Sequence, residues 1–352
     1  MSGSDRPDWR DDIRVVRTYR YALGATLSVA IAMGIDWQLS YVAPVLTINL
    51  LGSGKPRPSV KLFVGIVGVL GLLGILGMLL SSALLPYPGV FLLVDGLVVY
   101  LLYYAAGRGA SSTAIALLLI GATVIPVVGL QSIEVSSVVA EGLVWGAVVA
   151  LGVVLLSHVL IPDPPLSSDA EAQAEAEATA VRPSARYAAE FARLNTLVVY
   201  PLVCFFFITG STAVIVLVFA AFLSVRPDMA SGVQAGKALL VGNAMGGLTA
   251  VIMYEMLVMM PQFPFFLLLT LLGGLYFGWR TFRGDPKGPL WTMAFQTAIL
   301  VVASTTSMYG DADAKAFTRV VQIGTAVVYL VVAFRIVPLG RIKALSEPAH
   351  AT

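Results

Sequence analysis

LGSGKPRPSVKLFVGIVGVLGLLGILGMLLSSALLPYP, residues 51–88, decides the fold. A Gly/Pro/basic break (Gly52, Gly54, Lys55, Pro56, Arg57, Pro58) gives way to an apolar run long enough to cross a hydrocarbon layer. Within it Gly65, Gly68, Gly71, Gly74 and Gly77 recur at every third position. In water each would cost a helix about 1 kcal/mol relative to alanine. In a bilayer, small residues let helix backbones approach closely. At about 100° per residue, a step of three falls about 60° short of a full turn, so the series winds around the helix. The expected structure is a spanning helix crowded on several sides.

The chain repeats this stretch once. Residues 223–264 read LSVRPDMASGVQAGKALLVGNAMGGLTAVIMYEMLVMMPQFP. Arg57-Pro58 answers to Arg226-Pro227, Lys61 to Lys237, Pro88 to Pro264 and Tyr100 to Tyr276, the last three pairs sharing one common offset. Gly242, Gly246 and Gly247 stand where the first copy has its glycine series. Ordered matches in equivalent contexts argue for two related halves.

Composition sets the solvent. The 352 residues are 58% hydrophobic and 12% charged, about half the ~25% charge of a soluble domain. A mean hydropathy of +0.88 with repeated apolar runs near 20 residues predicts an all-α integral membrane protein. The single cysteine, Cys204, excludes an internal disulfide, and two histidines without a Cys/His cluster argue against a metal site. No metal, cofactor or nucleic-acid partner is expected. The N-terminal stretch 1–18 is polar and Arg-rich, with no apolar core of a cleavable signal.

Five arginines and the apolar Trp9, Ile13 and Val16 give residues 1–20 the pattern of a helix on the cytoplasmic membrane surface; a solvated tail fits as well. Apolar segments follow at about 21–36, 41–51, 60–85, 89–106, 111–130 and 137–161. The second is short: it is either half-spanning or a helix that ends inside the protein. Residues 162–193 read as a cytoplasmic linker, acidic and Ala-rich, closing on a surface helix with Tyr187, Phe191 and Leu194 on one face. Six more segments lie at about 195–209, 212–224, 235–260, 263–281, 289–308 and 317–338. The expected domains are therefore residues 21–161 and 194–338, with a cytoplasmic tail at 339–352. About twelve transmembrane helices result, as two six-helix repeats. An even number per half makes the repeats parallel, related by a pseudo-two-fold axis along the membrane normal. Of the 22 Lys/Arg, 20 fall on one side, all but Lys315 and Arg319. The positive-inside rule makes that side, with both termini, cytoplasmic. The long helices that start at Lys61 and Lys237 are expected to pack centrally, beside the short segments.

Ionisable groups inside spans cost roughly 2.5–3.5 kcal/mol at mid-membrane and need a reason. Asp95 (FLLVDGLVV), Glu141 (SVVAEGLVW) and Glu255 (VIMYEMLVM) qualify. Either they exchange protons or contact substrate, or they are neutral acids hydrogen-bonded to a neighbouring helix. Asn49, Asn243, Gln296 and Gln322 are buried amides, for helix–helix hydrogen bonds or a polar pathway. Arg57, Lys61, Arg226 and Lys237 begin equivalent helices; they set topology or draw an anion to the cytoplasmic mouth. His158 reads as interfacial, and Phe205, Phe206 and Phe207 as lipid-facing or packing. No GxSxG, GxxxxGK[ST] or HExxH is present, which speaks against an enzyme and against ATP-driven transport.

The residues Arg17-Thr18, RYALGATLSVAIAMGI (20–35), YVAPVLTINLL (41–51), KPRPSVK (55–61) and the Gly-rich helix after them resemble the fusaric acid resistance-like proteins, which include bacterial aromatic acid exporters such as p-hydroxybenzoate efflux pumps. The resemblance covers most of both membrane halves, but the large cytoplasmic domains of longer members are replaced here by the 162–190 linker. It implies export of small organic, often aromatic, carboxylates across a bacterial inner membrane, with a periplasmic membrane-fusion adaptor as partner. Plant aluminium-activated malate channels look like distant relatives and imply the alternative, a passive organic-anion channel. A homo-oligomer is compatible with either reading, as is a third, an assembly subunit.

Overall fold

The computed structural model describes residues 12–35, 37, 39–54, 57–58, 63–65, 67–71, 74–75, 87–110, 112–129, 133–164, 184–209, 233–306, 329 and 332. Every regular element among them is a helix. In chain order they are α1 (Ile13–Ile35), α2 (Val42–Gly52), α3 (Pro88–Gly107), α4 (Ser112–Gly129), α5 (Ile133–Leu160), α6 (Ala185–Thr209), α7 (Val233–Met259), α8 (Phe263–Phe282) and α9 (Gly288–Thr306). Five stretches are long and apolar enough to cross a membrane: Pro88–Gly107, Ser137–Leu160, Ala185–Thr209, Val241–Met259 and Phe263–Phe282. Twenty residues at 1.5 Å each span about 30 Å, the thickness of a hydrocarbon core. The chain is thus a multi-pass, all-helical membrane protein. Of the expected segments, 212–224, 317–338 and most of 60–85 lie outside the described residues.

Two expected boundaries fall inside helices. α1 starts at Ile13 and runs through residue 20 without a break, and α6 starts at Ala185 and runs through residue 193. Neither begins as a separate surface helix, because the early turns already bury side chains: Val16 and Thr18 in α1, Ala188 and Phe191 in α6.

The chain forms two compact units, each drawn from both sequence halves. Unit 1 comprises residues 1–63, 146–181 and 245–308. In it α1 packs along α8, α2 packs on α1 and α9, and α8 packs on α9. The α1–α8 seam is close because it lacks side-chain bulk. A Cβ on Gly274 would lie 2.7 Å from Ala22 Cα, and one on Gly278 would lie 3.0 Å from the Tyr21 ring. Around this seam the aromatic rings meet: Tyr21 edge-to-face with Phe282 and tilted on Phe295, Phe295 stacked on Phe277, and Phe277 tilted on Trp291. Arg280 sits 5.0 Å over the Trp291 ring and 5.7 Å over Tyr276, an arrangement that favours a cation over the negative ring face.

Unit 2 comprises residues 64–145, 182–244 and 309–352. Here α3 packs along α6, and α4 joins α3. α3 buries one four-residue stripe, Phe91, Asp95, Val99, Tyr103 and Gly107, and exposes Val90, Leu93, Leu97 and Leu101. A Cβ on Gly107 would meet Ala188 Cα at 2.7 Å, and Phe91 stacks on Phe207 at 5.1 Å. Tyr329 donates to the Val198 carbonyl at 3.0 Å.

Among the described residues, the first four glycines of the 60–85 series show no close approach, and Gly77 lies outside them. A Cβ on Gly65, Gly68 or Gly71 would meet nothing within 4 Å, and one on Gly74 would make only an ordinary contact with Ala140. A series that winds around a helix cannot stay on one seam. Close approaches fall where a glycine lies directly under a partner backbone: at Gly107, at Gly274 and, in the second glycine series, at Gly246 of α7, against the Ala294 carbonyl of α9.

Candidate functional site

Asp95 is the acid that the fold buries. It lies on the inward stripe of α3, 7% exposed, and its Oδ2 has no hydrogen-bond partner among the described residues. Gly96, the next residue, lets the Tyr200 ring of α6 come in close, 3.0 Å from where a Cβ would stand. The Tyr200 hydroxyl donates to the Leu92 carbonyl, one turn before Asp95. Tyr200 and Cys204 stand a turn apart on α6, and both interact electrostatically with Asp95. A carboxyl, a phenol and a thiol thus share a site inside two candidate spans. A carboxyl with an unpartnered oxygen inside a span is a costly group that needs a reason to be there.

A second polar cluster lies in unit 1, where α1 begins and α5 ends. Arg20, 3% exposed, places Nη2 2.6 Å from Asp163 Oδ1 and donates from Nη1 to the Ile161 carbonyl at 3.3 Å. His158, 7% exposed, has Nδ1 2.8 Å from the Val154 carbonyl, while its Nε2 is buried with no partner among the described residues. Arg20, Asp163 and Arg57 all act on His158 electrostatically. Arg17 feels Asp163 and Arg20, and its guanidinium rests on the turn after α2, where Gly54 holds φ +64°. Arg17 Nε is also buried without a partner among the described residues.

The other sequence candidates are dispersed. Glu141 and Glu255 are exposed on α5 and α7. Asn49 is half-buried on α2 and Asn243 is buried on α7. Arg57 is exposed just after α2, beside the His158 cluster. Lys61 and Arg226 lie outside the described residues, as does the side chain of Lys237, which stands in α7. His158 proves more than interfacial, because it is buried among charges. Of the phenylalanine run, Phe206 and Phe207 are buried and Phe205 is 57% exposed. Sequence reasoning missed Tyr200, Cys204, Arg20 and Asp163. The spacing of four between Tyr200 and Cys204 was the available signal for one pair. For the other, two charges 143 residues apart carry no local signal.

A family described as a protein of unknown function, DUF2955, matches residues 17–157. That match takes in α1 through most of α5, including Arg17, Arg20 and Asp95. No curated protein and no solved structure matches the chain.

Proposed function

We propose that the protein is a secondary transporter of a bacterial inner membrane that exports small organic, aromatic, carboxylates in exchange for protons. The observation that carries the reading is Asp95. It is an acid buried inside a span beside Tyr200, with one oxygen unpartnered among the described residues. A span carries such a group at a cost, which a proton-exchange role accounts for. The absence of soluble catalytic motifs favours transport over an enzyme, and the resemblance to aromatic acid exporters supplies the substrate class. Both termini are taken as cytoplasmic, and a periplasmic adaptor and self-association belong to the proposal.

The proposal includes about twelve spans in two parallel six-helix repeats. Helix pairing supports it. Under the shift that carries Pro88 onto Pro264, α3 falls on α8 and α4 on α9, and α1 overlaps α6 with Arg17 on Arg193. In each unit, the first long helix of one half pairs with the fourth segment of the other: α1 with α8, α6 with α3.

The second reading, a passive organic-anion channel, is favoured by the basic cluster of Arg17, Arg20 and Arg57. Reconstituted protein separates them. An exporter accumulates radiolabelled benzoate beyond the level of protein-free liposomes under the same imposed pH gradient, whereas a channel adds no gradient-driven accumulation to that passive level. Uptake that ignores the pH gradient overturns the exporter reading.

A further inference from the structure

Arg20 stands at a depth where a guanidinium needs compensation, and it receives one carboxylate, from Asp163. Among the described residues the charges around that pair do not balance. Arg17 and Arg57 add positive charge, and Asp163 is the acid acting on both Arg17 and His158. Hydrogen bonding is incomplete too: Arg17 Nε and His158 Nε2 are buried without partners among the described residues. Buried polar groups normally find a partner. Arg17 Nε is a donor, and His158 Nε2 becomes one as the imidazolium, because Nδ1–H is already committed to the Val154 carbonyl. With the positive charge of the described residues they suit an anion with several oxygens. Asp163 is the outer member of the pair, its side chain 25% exposed against 4% for Arg20. It follows the end of α5 in the chain and reaches Arg20 from outside the helices. Exposed Arg57 stands outside the buried pair, placed to draw a negative ligand inward.

We propose that Arg20, with Arg17 and His158, forms a binding site for the carboxylate of a small organic anion, which Asp163 fills with its own carboxylate until the ligand displaces it. The choice of a soluble carboxylate over other anions rests on the transport reading above. The forked guanidinium suits it, since two N–H groups of one arginine can meet two oxygens of one carboxylate. Asp163 is then an internal competitor, and its removal raises apparent affinity.

The test uses the purified full-length chain in detergent, titrated calorimetrically with sodium benzoate and, as the uncharged control, benzamide. Asp163→Asn keeps the shape and removes the competing charge, so benzoate affinity should rise about tenfold or more while benzamide shows no binding. Arg20→Lys keeps the charge and the ion pair but loses the fork, so affinity should fall about tenfold with the melting temperature little changed. If folded Asp163→Asn binds benzoate no better than the wild type, the pair is only a staple between α1 and the chain after α5, and the proposal fails. Should Asp163→Asn not fold, Arg20→Lys decides alone: unchanged benzoate affinity overturns the site. Co-purification of phosphatidylglycerol with Asp163→Asn, without a benzoate response, makes a lipid headgroup the occupant and also overturns it. Benzoate transport in liposomes is scored separately. A chain that binds benzoate as expected but shows no gradient-driven transport refutes the exporter reading and leaves this site standing.

Discussion

Unit 1 and unit 2 use one pairing scheme and place opposite charges in it. In each, the first long helix of one half lies along the fourth segment of the other, and a glycine sits against a partner Cα: Gly274 on Ala22 in unit 1, Gly107 on Ala188 in unit 2. Around the unit 1 seam are Tyr21, Phe277, Phe282 and Phe295, and unit 1's buried ion is a cation, Arg20, near the end of a helix. Unit 2 buries an acid, Asp95, within a span. Under the shift that relates the two halves, Asp95 answers to Leu271, and Arg20 answers to Thr196. Helix pairing thus survives a change of the charged groups on it, because pairing depends on small residues and apolar area, whereas function depends on where a costly charge is retained.

The largest effect should come from breaking the cation of unit 1. Arg20→Ala removes the charge-assisted bonds to Asp163 and Ile161 and the packing of the arginine stem, while the Asp163 left behind is partly exposed, so the cost should be about 3 kcal/mol. Thermal unfolding in detergent should show a large drop, and an unchanged melting temperature would mean the pair is not buried in solution. Next come the seams. Gly274→Val and Gly107→Val each press a side chain onto a backbone and should cost about 1–3 kcal/mol. Gly68→Ala, at a position that meets nothing, should be neutral or stabilise by up to about 1 kcal/mol through helix propensity. If Gly68→Ala destabilises as much as Gly274→Val, a surface not seen in the single chain covers that glycine. Smallest is Tyr200→Phe, which removes the bond to the Leu92 carbonyl and should cost about 1 kcal/mol.

Much of this scaffold is legible from residues alone. Apolar runs at 89–106 and 263–281 became α3 and α8 almost to the residue, because Pro88 and Pro264 start them and Arg108 and Arg283 follow them. Asp95 was legible for the same reason, as a lone charge in a run that excludes charge. The glycine series were a partial guide: Gly246 of the second lies against the Ala294 backbone, while Gly65, Gly68 and Gly71 of the first meet no described neighbour, since glycine permits close approach but does not say which face a partner takes. Arg20 looked like a topology signal and Asp163 like the start of a linker. Only the return of the chain after α5 to the beginning of α1 makes them a pair. Glu141 and Glu255 match Asp95 in local sequence yet are exposed, because their faces of α5 and α7 are not packed over.

The central claim is that the buried acid of unit 2 couples transport to protons, and Asp95→Asn in liposomes tests it most directly. The substitution keeps the side chain's shape and removes its titratable proton. Benzoate accumulation under an imposed pH gradient should fall to the level of protein-free liposomes, while benzoate exchange at equal pH, measured above that same background, and the melting temperature stay near wild type. Full gradient-driven accumulation by Asp95→Asn would contradict the claim and leave Asp95 as a packing residue of the α3–α6 seam.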